Sequence, residues 1–220
     1  MKYSSFRAGA IALLMALLAS GCATQQKPYD YSAFKQSKPK SILVLPPLNS
    51  SPDVAATYGM LSQVSYPLAE SGYYVLPVTL VDETFKQNGL TTAADIHHVA
   101  PSKLHEIFGA DAALYIDVQK YGSSYQVVNS VTTVAASAKL IDLRSGILLW
   151  QGVATASNNE QQNNSGGVVG LLVSAIINQI VATTTDASYN MAGIASSRLL
   201  MSGQKNGMLY GPRSPKYMSD

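Results

Sequence analysis

From Ala112 to Ser157 the apolar residues of this 220-residue chain recur with a period of two. A strand over 112–121, the turn Gly122-Ser123-Ser124, a long strand region at 125–143, the turn Arg144-Ser145-Gly146 and a strand over 147–157 account for that pattern. Alternation sends successive side chains to opposite faces, so an antiparallel meander of this kind hides its apolar set only when something else covers one face. The cover has to come from the flanking segments. Ser41 to Leu45, ended by Pro46-Pro47, is a short continuous apolar run, the pattern of a strand buried on both faces. Asn49, Ser50, Ser51 and Asp53 offer N-caps for a helix over about 53–71, with Val54, Leu61, Val64 and Leu68 at helical spacing and Gly72 as its stop. Tyr73 to Val81 reads as a further strand, and Pro77 within it points to an edge position or a bulge. Helices are predicted at about 82–88 and 101–109, the second opened by Pro101-Ser102 and closed by Gly109, with 89–99 as loop. This order of elements predicts one α/β domain with a mixed sheet, parallel in its first half and an antiparallel meander in its second. The sequence shows no sign of a second domain core or of an internal repeat.

After the meander, Asn158 to Gly167 is polar and low in complexity, and Val168 to Ala182 is strongly apolar. Those fifteen residues reach only about 22 Å as a helix, short of the ~30 Å of hydrocarbon in a bilayer. Asn178 and Gln179 also fall inside the run. A helix packed on the sheet is expected there, with an oligomer or membrane contact as the other reading. A second helix is predicted from near Thr185-Asp186 to about Ser202, with Ala192, Ala195, Ser196, Leu199 and Leu200 on one side and Gly203 as its stop. These two form a C-terminal helix pair. The domain is expected over 41–203, followed by an extended tail over 204–220.

The chain opens with Lys2 and Arg7, then the apolar run Ala8 to Ala19, then Ser20-Gly21-Cys22. A basic start and a dozen apolar residues describe a signal peptide over 1–21. Leu18-Ala19-Ser20-Gly21-Cys22 has the form of a lipobox, so Cys22 is the expected lipid attachment site and the mature N-terminus. Acyl chains, palmitate among them, would anchor it firmly. It is the chain's single cysteine, so internal disulfides, cysteine-based zinc sites and iron–sulfur clusters are excluded. Ala23, not Asp, follows, which points to the outer membrane rather than retention at the inner one. Residues 22–40 are expected to be a flexible tether. Removing Lys2 and Arg7 with the leader leaves 13 basic against 13 acidic residues. Such a balance gives no reason to expect nucleic acid as a partner.

Chemistry-bearing motifs are scarce. Gly166-Gly167-Val168-Val169-Gly170 fits neither nucleotide-binding glycine pattern, and no Gly-x-Ser-x-Gly elbow occurs. One polar cluster, Asp95, His97, His98, His105 and Glu106, contains all three histidines. Two imidazoles and a carboxylate could hold zinc or act as a base. The spacing matches neither a His-Glu-x-x-His nor a His-x3-His pattern, and adjacent His97 and His98 would point apart in a strand, so structural roles are expected. Asp82 is expected as a helix cap, and Glu83, Asp111 and Asp117 as solvated turn or strand-edge groups. Tyr73, Tyr74, Tyr115, Tyr121 and Tyr125 fall on predicted strands, where aromatic pairs stabilise sheets or line an interface. No catalytic residue, cofactor or metal is expected.

Several segments together carry a resemblance: the lipobox, Ile42 to Asn49, Ala138 to Gly146 with Trp150, the helical region Gly166 to Leu200, and Leu209 to Tyr217. They resemble a family of bacterial outer-membrane lipoproteins of unknown function that includes a meningococcal lipoprotein antigen. Gly211-Pro212-Arg213-Ser214-Pro215-Lys216-Tyr217 is the most specific piece. The resemblance implies a periplasmic domain with an anticodon-binding-like fold, similar to the amino-terminal domain of the Tol translocation protein and to the curli-export lipoprotein. It also implies a homodimer set beside a curli-channel-like lipoprotein and a small partner lipoprotein. It brings no catalytic residues. The expected function is therefore that of a non-enzymatic accessory or scaffold lipoprotein of an envelope assembly or export complex, anchored in the outer membrane with its domain in the periplasm. The alternative is a periplasmic receptor for peptide or peptidoglycan, using the sheet edge near Tyr73 to Val81 as its groove. A hydrolase built on His97, His98 and His105 is a third reading.

Overall fold

The computed structural model describes residues 29–125, 130–162 and 187–219. Its sheet consists of β1 (Ser41–Val44), β2 (Leu48–Asn49), β3 (Tyr74–Val75), β4 (Ala112–Tyr125), β5 (Ser130–Asp142) and β6 (Leu148–Ser157). The strand order is β3-β1-β4-β5-β6, with β2 also paired to β4. β1 runs parallel to both β3 and β4, whereas β4, β5 and β6 are antiparallel neighbours, so the expected mixed α/β sheet is present. Helices α1 (Ser32–Ser37), α2 (Ala56–Leu61), α3 (Ser65–Glu70), α4 (Val78–Gln87), α5 (Ala93–His97), α6 (Pro101–Phe108) and α7 (Ala187–Leu200) complete the described fold.

Both faces of the sheet's first half are covered. Ile42 and Val44 join Leu114, Ile116, Leu140 and Trp150 in a core shared with α2, α3 and α7. Leu43 and Leu45 point the other way, into a smaller core with Val81, Phe85, Ile96 and Leu104 from α4, α5 and α6. That two-sided burial is why the first strand reads as an unbroken apolar run. Farther along the meander, period two is broken in two places. Val118 pairs with Ala136 and Lys120 with Ala135, so Gln119 is an extra residue in β4. The bulge lets Val118 and Tyr121, three positions apart, both enter the larger core. Leu149 is likewise extra in β6, which lets it and Trp150 both be buried.

Several elements differ from expectation. The helix predicted over 53–71 is two helices, α2 and α3, separated by a turn. Pro67 in the first turn of α3 has no N–H to bond to the preceding turn and disfavours helix before it. Leu61, Val64 and Leu68 are buried as expected, whereas Val54 lies outside the helix and is exposed. The strand expected over Tyr73 to Val81 is only Tyr74–Val75, at the sheet's edge, because Pro77 caps α4, which starts four residues earlier than the predicted 82. Asp82 consequently sits inside that helix and pairs with Lys86 at 2.6 Å rather than capping. The loop expected at 89–99 contains α5, whose N-cap Thr92 accepts from the Asp95 amide and donates to its carboxylate at 2.6 Å. This Thr-x-x-Asp capping signature is present in the sequence. Gly122-Ser123-Ser124 is not a turn; it continues β4 opposite Val131, Thr132 and Thr133. The helix predicted at 168–182 lies outside the described residues. α7 buries Ala192, Ala195, Ser196, Leu199 and Leu200, as its spacing predicts. Among the described residues no helix is long and apolar enough to cross a membrane.

Candidate functional site

Both ends of the described chain converge on one side of the larger core. At the N-terminal end, Asp30 accepts from the Ser32 amide and hydroxyl and so starts α1. Lys38, in the left-handed conformation at φ 49°, ends it with its N–H donating to the Phe34 carbonyl at 2.9 Å. Phe34 is the residue α1 buries, with 4% of its surface exposed. Upstream, Tyr31 lies edge-on to Phe34 at 6.5 Å and Tyr29 lies 4.8 Å from Tyr31. The Tyr31 hydroxyl donates to the Gly207 carbonyl, and the Gln151 amide of β6 donates to the Tyr29 hydroxyl at 3.0 Å. Ser37 donates to the Asp142 carboxylate at 2.6 Å. Residues 29–40 therefore belong to the fold rather than to the flexible tether expected over 22–40; residues 22–28 lie outside the described residues.

At the other end, the tail expected to be extended turns back on the domain. Gly203, at φ +88°, takes the chain out of α7. The Trp150 indole then donates to the Asn206 carbonyl at 3.0 Å. Tyr73 and Ser202 hydroxyls both donate to the Leu209 carbonyl, at 2.6 and 2.8 Å. The Gly211 amide donates to Ser71 O and the Arg213 amide to Gly72 O, at 2.8 and 3.0 Å. Gly72 and Gly211 meet backbone to backbone: a Cβ on Gly211 would lie 2.6 Å from the Gly72 carbonyl carbon. Two of the sequence's Gly-Pro-x-x-Pro-x-Tyr positions thus hold the tail beside β3. Arg213 also stacks over the Tyr74 ring. The peptide-binding edge expected near Tyr73 to Val81 is two residues long and flanked by the protein's own tail.

Between α1 and the tail lies an open groove of about 250 Å³. Phe34, Pro39, Tyr73 and Leu209 form its apolar base, Tyr210, Tyr217 and Met218 its far wall, and Lys35 and Lys38 its rim. Lys216 rests over Tyr210 on the same side. Residues 29–40 and 186–220 carry seven basic residues and the acids Asp30, Asp186 and Asp220, whereas 41–162 carries five basic and ten acidic ones.

The histidine cluster does not form a site. His97 lies 2.9 Å from Pro46 O through Nε2 and edge-on to Tyr115 at 5.2 Å. Burial lowers its affinity for a proton, against the raising effect of the Pro46 carbonyl, so it stands neutral and donates. His98 Nδ1 meets Ala94 O at 2.6 Å and His105 Nδ1 meets Ala110 O at 2.7 Å. Because a carbonyl only accepts, each ring is fixed as a donor to backbone. Asp95 is engaged in the α5 cap, and Glu106 pairs with Lys103 at 3.0 Å. Among the described residues no group of histidine, cysteine and carboxylate side chains is placed to hold a metal. Asp117 accepts from the Ser50 hydroxyl at 2.9 Å. Asp111 accepts from the Lys40 amide and from Ser41, and pairs with Arg144 at 2.6 Å. Its carboxyl titrates below the ordinary range because those bonds outweigh the opposing effect of burial.

The family model described as "Putative lipoprotein GNA1162-like" matches residues 29–213. The chain belongs to this family of GNA1162-like lipoproteins. The match begins at Tyr29, as do the described residues. The Neisseria meningitidis serogroup B (strain ATCC BAA-335 / MC58) protein "Putative lipoprotein NMB1124/NMB1162" is 53% identical over 204 residues, covering 92% of this chain and 94% of that one. The crystal structure of lipoprotein GNA1162 from Neisseria meningitidis, 57% identical, superposes with a TM-score of 0.54 over 66% of this chain and 100% of that one. The α/β architecture expected from the sequence is thus that of the family. The groove itself was not singled out from the sequence. Its signal was the gathering of tyrosines, prolines and lysines in both end segments, whose proximity only the fold reveals.

Proposed function

We propose that the protein is a non-enzymatic lipoprotein of the outer membrane, attached through acyl chains on Cys22, whose periplasmic domain serves as an accessory or scaffold part of an envelope assembly or export complex. The observation that carries this reading is the bond that ties Tyr29, seven positions beyond Cys22, to the Gln151 amide of β6. Seven residues span at most about 25 Å, so a lipid on Cys22 holds the domain close to the bilayer rather than on a long leash. The homodimer and contact with other envelope lipoproteins, a curli-channel-like protein among them, are part of the reading and rest on the resemblance. Exposed apolar residues of the outer strand support such contacts: Val153 in β6 is 78% exposed, and Ile147 and Leu148 are also open. Binding of peptide or peptidoglycan by strand addition at β3 is disfavoured by that strand's length and by the tail beside it.

Fractionation of cells producing the wild type and Cys22→Ser tests the anchor, with crosslinking of the wild type to test the scaffold. The wild type is expected in outer-membrane fractions, acylated by mass spectrometry and crosslinked to other lipoproteins, and the variant among soluble periplasmic proteins. An unacylated wild type, or a variant that stays in the membrane, overturns the anchor; a strictly monomeric and partner-free wild type overturns the scaffold.

A further inference from the structure

We infer that the groove between α1 and the tail docks on the bilayer itself, taking the glyceryl and upper acyl portion of an anionic phospholipid against its aromatic walls while Lys35 and Lys38 meet the phosphate. The inference rests on the anchored reading for which bilayer is met, and deepens it by assigning the face turned toward that bilayer. Three independent features converge. First, the N-terminal end of the described residues lies beside the groove: Tyr29, Tyr31 and Phe34 form a continuous aromatic run that reaches the groove base. Second, the chemistry is amphipathic in the sense a phospholipid requires. An apolar space of about 250 Å³ has room for about eight water-sized groups at ~30 Å³ each, which suits the glyceryl esters and first methylenes of a lipid and is far less than a whole one. Met218 at its mouth is 63% exposed, a large apolar side chain held out toward whatever covers it.

Third, charge complements that occupant. Lys35 and Lys38 line the groove, and Lys216 rests over Tyr210 on its wall. A groove rimmed by these cations attracts an anionic surface. The left-handed backbone of Lys38 adds to this, because a non-glycine residue at φ 49° is a costly choice for a helix end and here places a cation on the rim.

The test uses the mature chain 22–220 with Cys22→Ser, so that no lipid anchor contributes. Its flotation is measured with vesicles of phosphatidylcholine alone and of equal parts phosphatidylcholine and phosphatidylglycerol. Binding about tenfold or more tighter to the anionic vesicles is expected, weakening as salt rises. Lys35→Glu combined with Lys38→Gly is expected to abolish the preference; the glycine suits the left-handed position, so folding is retained and is checked by the melting temperature. Lys103→Glu combined with Lys139→Gln makes the same change in charge elsewhere and is expected to leave binding intact. Met218→Asp is expected to weaken binding severalfold, and soluble glycerol phosphate to leave it undisplaced. Equal binding to both vesicle types, equal losses in the two double variants, or displacement by glycerol phosphate overturns the inference. Acylation of the wild type is read separately, so failure of the anchor and failure of the docking face give different results.

Discussion

Trp150 shows at the scale of one residue how the two chain ends are tied to the sheet. Its side chain is 1% exposed and its indole N–H is spent on the Asn206 carbonyl, so it contributes both burial and a bond to the tail. Trp150→Ala is expected to cost about 3–5 kcal/mol in urea unfolding followed by circular dichroism. His97 makes a different prediction. Its folded-state pKa lies below the ordinary 6.5, so the unfolded chain takes up the proton first. Its contribution to stability is present above about pH 6.5 and is lost as pH falls from there through the folded value. His97→Gln is expected to flatten that part of the stability profile measured by melting temperature against pH. Asp111 and Asp142, both held below the ordinary carboxylate range, act lower: for each, burial is outweighed by hydrogen bonds, and their contribution disappears as pH drops below about 3.8. The sequence singled out His97 and Asp111 but not their partners. Pro46 O and Ser41 lie 51 and 70 positions away, a separation that no local pattern records.

For whole elements, the errors and successes have separate causes. α7 is legible because Ala192, Ala195, Ser196, Leu199 and Leu200 recur at helical spacing, although the fold buries residues 190–196 all round the helix, and α6 because Pro101 and Gly109 mark its ends. The strand expected through Val81 was misjudged because β-branched residues there serve a helix packed under β1, where tertiary burial overrides local preference. The tail is the clearest case. Its glycine and prolines argue only against regular structure, whereas its path is set by Gly72, 139 positions earlier in the chain. Gly211→Val would force the backbones of Gly72 and Gly211 apart and is expected to cost about 1–3 kcal/mol. Trypsin should then cut the native protein faster after Arg213 and Lys216, which limited proteolysis followed by mass spectrometry would show.

Taken as a whole, the described molecule is a sheet with one core on each side of its first half, where residues 29–40 and the tail after α7 meet beside the larger core. α1 is six residues long and would not persist alone. What holds it is Phe34, the Tyr29 and Tyr31 contacts and the bond from Ser37 to Asp142. A mature chain lacking residues 29–40 is therefore expected to melt well below the intact one in calorimetry. Accelerated hydrogen exchange should spread to Gly207 through Tyr217, because the groove loses one wall and the tail loses its bond from Tyr31. An unchanged exchange pattern in the tail would show that the two ends fold independently.

By itself, the sequence determined the class of fold, the period-two meander, the doubly buried first strand and the expectation of a lipid on Cys22. Each of these is written in neighbouring residues: alternation, an apolar run, or a short motif. Tertiary structure decided that residues 29–40 join the fold, which way the tail runs, that the histidines serve backbone carbonyls, and that two tyrosine-rich end segments face each other across a groove. Apart from the local bonds of His98 and His105, those features depend on burial and on hydrogen bonds between distant residues, up to 176 positions apart. Such contacts form only after the sheet has brought distant segments together, so the pattern along the chain could register their composition but not their meeting.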